Sequence, residues 1–338
     1  MKLSVLINNY NYQHYVSDAI DSVLQQSFPV DEIIVVDDKS TDKSAQILHK
    51  NFAANEKVKL VLKDKNEGQL SSFNAGFIAS CGDIICFLDA DDLYKENYIA
   101  EVVKFYQEHP ECDFLFCSAE VFGNEERIAS CYNNTRDLGY SRIATLYKKA
   151  WVGHRTSTVS MRRHVLEKFL PLPQQEDWRI RADDCLVFGA SIVGARKFYL
   201  AKPLVRYRAH GNNNHYGQKQ KRTPEYLDKY KQAVDHLLGF LAEKMSYPSN
   251  LYEQAHIEFR TIPKPNEQEF NIYESIIDKS ELLVLNKLSR FLSIYIHFIS
   301  RGGFLSLVRI KLLWLRNKIQ RFALRLYRLP QSKTNTTA

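Results

Sequence analysis

The chain has no C-x-x-C pair. Its six cysteines, at 81, 86, 112, 117, 131 and 185, include two C-x4-C spacings that fall in apolar, strand-like runs. This spacing fits neither a zinc ribbon nor a dithiol redox motif, and buried thiols in a reducing cytosol are expected. Glycine and proline are scarce, 13 and 10 in 338 residues, which excludes a low-complexity or collagen-like chain. No apolar run reaches the length of a membrane span, and residues 291–299 are too few to cross. No secretory leader is expected, because the first strand pattern starts at Lys2 and meets the polar Asn8 too early for an apolar leader segment. With 45% hydrophobic residues, the length suits one large domain or two ordinary ones.

Acids are missing from one region altogether. None follows Glu281, whereas eleven of the 46 Lys and Arg do, so residues 1–281 hold 35 bases against 39 acids. The net charge of +7 therefore averages a mildly acidic body and a strongly basic tail, and the tail calls for an anionic partner.

The first ninety residues alternate between two periods. Apolar runs at 3–7, 32–36, 58–62 and 83–88 read as strands. Helical spacing of Val16, Ile20, Val23 and Leu24, a capped segment from Ser40-Thr41-Asp42 to about 52, and residues 70–79 read as the helices between them. Such alternation predicts an α/β fold, a mostly parallel sheet with helices on both faces, whose ligands sit beyond the carboxyl ends of the strands. Each strand ends in a polar cluster: Asn8 to Asn11, Asp37-Asp38, residues 65–69, and Asp89-Ala90-Asp91-Asp92. Four loops should thus meet at one crevice. Beyond them, 114–121 and 153–161 read as strands, 183–194 as a helix, and 197–200 and 203–207 as two further strand runs. From about 218 the composition turns helical and charged.

Five stretches, "VLINNYNYQHYVSDAIDSVLQQSF", "EIIVVDDKSTDKS", "NEGQLSSFNAGFIASCGDIICFLDADD", "ADDCLVFGA" and "PLVRYRAHGNN", occur in the order seen in family 2 glycosyltransferases, which residues 1–215 resemble. The resemblance implies the GT-A nucleotide-diphospho-sugar transferase fold, Rossmann-like, with a C-terminal helical extension added here. It implies a catalytic domain over 1–217, with a nucleotide-sugar half at 1–92 and an acceptor half at 93–217; the helical region at 218–329 carries no such resemblance and is read from its composition. The implied activity is inverting transfer of a sugar from a nucleotide diphosphate, expected to be a UDP-sugar, to a hydroxyl of a glycan or lipid-linked glycan in bacterial surface-polysaccharide biosynthesis.

Such a transfer needs a grip on the nucleotide, a cation on the departing diphosphate and a base for the acceptor hydroxyl. Asp89-Ala90-Asp91 resembles the family's D-x-D. Alternate residues of an extended segment face one way, so both carboxylates could face the diphosphate. By the resemblance, Asp89 would lean toward ribose or sugar hydroxyls and Asp91 would ligate Mg²⁺ or Mn²⁺, with His210 matching a position that ligates the metal or donates to a phosphate. Asp92 reads as a solvated acid or cap. Asn8, Tyr10, Asp38, Asn66, Gly68 and Gln69 match the nucleotide pocket, with Tyr10 placed to stack on the base. The family commonly has Pro-Thr where this chain has Asn8-Asn9. Asp183-Asp184 matches the acidic pair that opens a helix beneath the acceptor, with Asp184 as the base and Asp183 as a cap or an orienting partner. Arg206 and Arg208 would neutralise phosphate or pair with surface acids, and residues 151–163 would border the acceptor.

In the tail, Leu305, Val308, Leu312, Leu315, Ile319, Phe322 and Leu326 form one stripe on a basic amphipathic helix near 304–328, followed by a frayed end at 330–338. A coiled coil would want flanking acids. A helix docked on the body and a helix lying on an anionic membrane both remain open, and the uniform positive charge favours the membrane. The expected location is cytoplasmic, peripheral on the inner face of the plasma membrane, with no nucleic-acid partner and with the oligomeric state open. A haloacid-dehalogenase-type phosphatase would carry its D-x-D on the first strand rather than the fourth. The other reading is a non-catalytic, membrane-associated module that keeps the nucleotide-sugar fold.

Overall fold

The computed structural model describes residues 1–211 and 223–302. The expected basic helix near 304–328 and the end at 330–338 lie outside the described residues. The chain divides into two compact units, Met1–Pro248 and Ser249–Ala338.

The first unit opens with the anticipated alternation: β1 (Leu3–Asn9), α1 (Val16–Leu24), β2 (Glu32–Asp37), α2 (Ser44–Phe52), β3 (Val58–Leu62), α3 (Gln69–Ala79) and β4 (Ile84–Asp89). These four strands lie parallel in the order β3-β2-β1-β4. The rest is mixed. After β5 (Leu93–Tyr94) and α4 (Tyr98–Glu108) come β6 (Phe114–Gly123), β7 (Arg127–Ala129), β8 (Arg136–Gly139), α5 (Arg142–Lys148), β9 (Val159–Arg162), α6 (Arg163–Leu166), α7 (Asp183–Ile192), β10 (Lys197–Ala209) and α8 (Pro224–Lys244). The sheet continues β4-β9-β6-β10-β5, with β9 antiparallel to both β4 and β6, and β10 parallel to β6.

Two expectations are corrected here. Residues 153–161 are not one strand: a 3-10 turn at Thr156–Thr158 precedes β9. The runs at 197–200 and 203–207 are one strand, β10, whose register shifts between Leu200 and Val205 around Pro203, which has no N–H to give the ladder.

The pleat decides what each strand residue meets. Leu3, Val5 and Ile7 of β1, with Ile84, Cys86 and Leu88 of β4, are buried under α1, α2 and α4. Leu6, Ile85 and Phe87 are buried on the opposite face among residues of α3, α6, α7 and α8. Each such side chain contributes roughly 1.5–3 kcal/mol by leaving water. By the same parity Asp89, two residues after Phe87, emerges on the α3–α7 face. Helix α8 lies beyond residue 217 and buries Val234, Leu237, Leu238 and Leu241 in that face's core. It starts at Pro224, with the Thr223 side chain accepting the Tyr226 N–H. Four cysteines, at 86, 112, 117 and 185, are buried as expected. Cys81 and Cys131 are exposed, because both fall in loops outside the strands.

The described part of the second unit is helical: α9 (Ala255–Phe259), α10 (Glu267–Lys279) and α11 (Val284–Gly302). Asn266 and Glu269 form a capping box at the start of α10. Phe259, Phe270, Tyr273, Ile276 and Ile277 are buried there. No described helix is long and apolar enough to cross a membrane.

Candidate active site

Where β1 and β4 end side by side, Asn8 is the register partner of Asp89. The Asn8 side chain hydrogen-bonds the Asp89 carboxylate, and Thr156 does so as well. Gln69, the first residue of α3, donates from Nε2 to Asp89 Oδ1 at 3.1 Å. The Asp89 N–H donates to Ser157 Oγ at 3.1 Å. Burial first, and the Asp91 charge second, push the Asp89 carboxyl up to about 7.

The strand stops at Asp89, and residues 90–91 form a turn closed by the Asp92 N–H on the Asp89 carbonyl at 3.0 Å. The extended geometry expected for Asp89-Ala90-Asp91 therefore does not hold: the turn, not the pleat, sets Asp91. Asp91 Oδ2 lies 3.0 Å from His210 Nε2, both largely buried. Tyr12 also hydrogen-bonds Asp91, and its hydroxyl is raised by burial and then by the Asp91 and Asp89 charges. The rings of Tyr12 and Tyr15 lie 6.1 and 5.1 Å from that of His210. Asp92 is neither solvated nor a cap. It is fully buried, accepting from Ser157 Oγ at 2.5 Å and from the Arg208 N–H at 2.9 Å, so it ties β4 to β10.

A carboxylate and an imidazole 3.0 Å apart suit a hard divalent ion that takes its other ligands from diphosphate oxygens and water. Among the described residues no group of three or more His, Cys, Asp or Glu could hold a metal by itself. The described residues thus fit a cation shared with a ligand rather than one that they enclose alone.

The loop before α3 is built on Asp38. Its Oδ2 accepts the Gly68 N–H at 2.7 Å. Its Oδ1 accepts the Glu67 N–H at 3.1 Å and Lys63 Nζ at 2.5 Å. Asn66 donates to the Asp38 carbonyl at 3.0 Å and accepts from Arg179. Gly68 has φ +88°, and a Cβ there would collide with the backbone of Arg179. Asp38, Asn66 and Gly68 are thereby drawn together, chiefly by loop-forming bonds. Asn8 Oδ1 is buried and takes no hydrogen bond within the protein. Tyr10 follows β1 with 42% of its surface exposed.

Gln69 joins this half to the acidic pair. Its Oε1 accepts the Ala182 N–H at 2.9 Å, and its own N–H donates to the Arg179 carbonyl at 2.9 Å. One carboxamide therefore spans from Asp89 to the residue before Asp183. At the start of α7, Asp183 is half-buried, and burial followed by the Asp184 charge pushes it up to about 7. Asp184 is buried, with Arg181 Nη2 at 2.9 Å and the Tyr230 hydroxyl at 3.0 Å on its Oδ2. Burial raises its carboxyl, and Arg181, Tyr230 and Trp151 act against that rise. Trp151, at 39% exposure, stands beside the acidic pair. Arg206 meets Glu120 at 3.5 Å. Arg208 meets Asp18 at 3.1 Å and the Asp91 carbonyl at 2.9 Å, so both arginines pair with acids or carbonyls.

Tyr12, Arg181 and Tyr230 were not singled out from the sequence, and Thr156 and Ser157 were read only as part of the segment 151–163. A tyrosine or serine in a loop carries no spacing signal, and Tyr230 reaches the site only through the packing of α8.

The profile of glycosyl transferase family 2 matches residues 4–170. An uncharacterized glycosyltransferase of Nostoc sp. is 37% identical over 218 residues, 64% of this chain and 67% of that one. A putative teichuronic acid biosynthesis glycosyltransferase, TuaG of Bacillus subtilis, is 34% identical over 123 residues. That match takes in 36% of this chain and 48% of TuaG, so it spans about half of that relative's length. Staphylococcus aureus TarS 1–349, solved in complex with UDP, has the same fold, with TM-score 0.54 and 19% identity over 94% of this chain and 88% of that one. Its complex with UDP-GlcNAc gives a TM-score of 0.53 at 18% identity, over 95% and 80% of the two chains.

Proposed function

This chain belongs to glycosyl transferase family 2, and from that premise we propose that it moves a sugar, with inversion, from a UDP-sugar to a hydroxyl of a glycan or lipid-linked glycan in surface-polysaccharide biosynthesis. One observation carries the reading. The Gln69 carboxamide links Asp89, beside the Asp91–His210 pair, to the acidic start of α7, so a diphosphate-holding end and a proton-accepting end share one crevice.

The roles follow from the donor groups. Asn8, Tyr10, Asp38, Asn66, Gly68 and Gln69 line the nucleotide pocket. Asp89 binds ribose or sugar hydroxyls. Asp91 and His210 would hold Mg²⁺ or Mn²⁺, which would supply positive charge at the leaving diphosphate. Asp184 takes the acceptor proton as the hydroxyl oxygen bonds to the anomeric carbon and the sugar–diphosphate bond breaks, its electron pair leaving with the diphosphate. The donor half is assigned to 1–92 and the acceptor half to 93–217. The acid-free basic tail fits an anionic membrane surface, where a lipid-linked acceptor would be met.

The test is nucleotide release from UDP-, dTDP- and GDP-sugars, with Mn²⁺ or EDTA, for the native chain and Asp91→Asn. Metal-dependent turnover or tight binding of one donor, lost in the variant, is the expected result. Failure of every donor both to turn over and to shift the melting temperature would overturn the reading.

A further inference from the structure

Helix α8 lies outside the stretch matched to the family, yet it reaches the acidic pair. Tyr230 donates its hydroxyl to Asp184 Oδ2 at 3.0 Å, and Arg181 Nη2 reaches the same oxygen at 2.9 Å. The two partners also hold each other. Arg181 Nη2 donates to the Tyr230 hydroxyl at 3.2 Å, and its guanidinium carbon lies 4.2 Å from the centre of the Tyr230 ring. The fully buried Trp178 packs edge-on against that ring at 6.1 Å. Arg181 itself has φ +63°, a left-handed conformation that a long side chain adopts at a cost of about 1–3 kcal/mol. The surrounding contacts hold the residue there, with its guanidinium on the carboxylate.

We propose that Arg181 and Tyr230 are positioning residues that clamp Asp184 through Oδ2, directing the acceptor proton to Oδ1 and making α8 a working part of the active site. The proposal rests on Asp184 being the base. Both partners donate to the carboxylate and so favour its ionised form against burial. The other ionisable groups around the clamp are Asp183 and Cys185 on α7, Tyr226 on α8, which hydrogen-bonds Arg181, and Asp89 at the end of β4, which faces Asp183. None of the last four is altered in the test.

The experiment uses the full chain labelled with ¹³C at aspartate carboxyls, with the Asp184 resonance identified by its loss in Asp184→Asn. Its titration midpoint is compared in the native chain, Tyr230→Phe and Arg181→Gln. Removing one donor to a charged group should move the midpoint up by about one pH unit in Tyr230→Phe. Removing the cation should move it by about one to three units in Arg181→Gln. The acidic limb of the pH profile for UDP release should move up with it, so that Tyr230→Phe loses activity at low pH and regains it at high pH. A tyrosine that only packs would leave midpoint and limb unmoved, and that result overturns the proposal. A moved midpoint with an unmoved limb overturns the positioning role. Full turnover in Asp184→Asn would instead remove the base assignment itself, whatever the midpoints do. Unchanged melting temperatures for Tyr230→Phe would exclude misfolding as the cause of any shift.

Discussion

The two acidic groups of the crevice are made tolerable in different ways. At the end of β4 three acids crowd together, with Gln69, Asn8 and Thr156 on Asp89, Ser157 and a backbone N–H on Asp92, the Tyr12 hydroxyl and the His210 ring on Asp91, and the Arg208 guanidinium on the Asp91 carbonyl. At the start of α7, Asp184 carries a guanidinium of its own. Hydrogen bonds from neutral donors soften repulsion without cancelling charge, whereas a guanidinium cancels it. The first group crowds three carboxylates within four residues, a repulsion that a cation from outside would relieve. The second is built to keep a carboxylate ionised inside the protein. Under the proposed reading, the first belongs to a diphosphate and its cation, and the second to a base that must work before any ligand neutralises it.

Breaking each group should have its own signature. The largest effect is expected for Asp184→Asn, which should lower kcat by about 10²- to 10⁴-fold while UDP still raises the melting temperature. If UDP protection vanished as well, the separation between the two groups would fail. Asp91→Asn and His210→Ala should do the converse and abolish the Mn²⁺-dependent part of that protection. At a ligand concentration of 100 times Kd the protection amounts to about 2.7 kcal/mol in the native chain, measurable by calorimetry with and without EDTA.

Gly68→Ala should destabilise the protein by roughly 1–3 kcal/mol, because an L side chain must take φ +88° against the Arg179 backbone. Urea unfolding measures it, and a loss below about 0.5 kcal/mol would mean that the loop relaxes freely.

The pH dependence of stability separates the groups further. Asp183 is raised to about 7 when folded, against about 3.8 for the ordinary carboxyl. Its protonated form therefore favours the fold. That contribution is complete below about pH 4 and is lost as pH rises through 7. Asp183→Asn should accordingly raise the stability at pH 8 by on the order of 1 kcal/mol and change little at pH 4. Equal effects at both pH values would show that burial does not govern Asp183. The smallest effect belongs to Arg206→Gln, which removes a half-exposed pair with Glu120 at 3.5 Å. A change within about 0.5 kcal/mol is expected.

The parallel half of the sheet was legible because its signals are local. Apolar runs, helical spacing and polar strand ends name β1 to β4 and the loops that meet at the crevice, and strand parity places Asp89. The second half was less so. Helix α4 carries helical spacing at Tyr98, Ile99, Val102, Val103 and Tyr106 and went unread beside the acids that precede it. The break between the 3-10 turn and β9 is set by Ser157, which must reach both the Asp89 N–H and the Asp92 carboxylate. That need arises only in three dimensions. Asp92 looked like a surface acid because its two partners lie 65 and 116 residues further along the chain. Tyr230 was hidden for the same reason, and Gln69 showed as part of a motif without showing what it bridges.

The pleat of β4 has a consequence for how the chain tolerates insertion and deletion. Since Ile84, Cys86 and Leu88 face one core and Ile85 and Phe87 the other, losing or gaining one residue within β4 would exchange the faces. Asp89 would then point at α1 and α4, away from Gln69 and α7, and the apolar side chains between the change and Asp89 would enter the wrong layer. Point substitutions of one apolar residue for another here leave that direction unchanged. A change of length by one inverts the site, whereas a change by two preserves its direction, so this strand is constrained in its count of residues more tightly than in their identity.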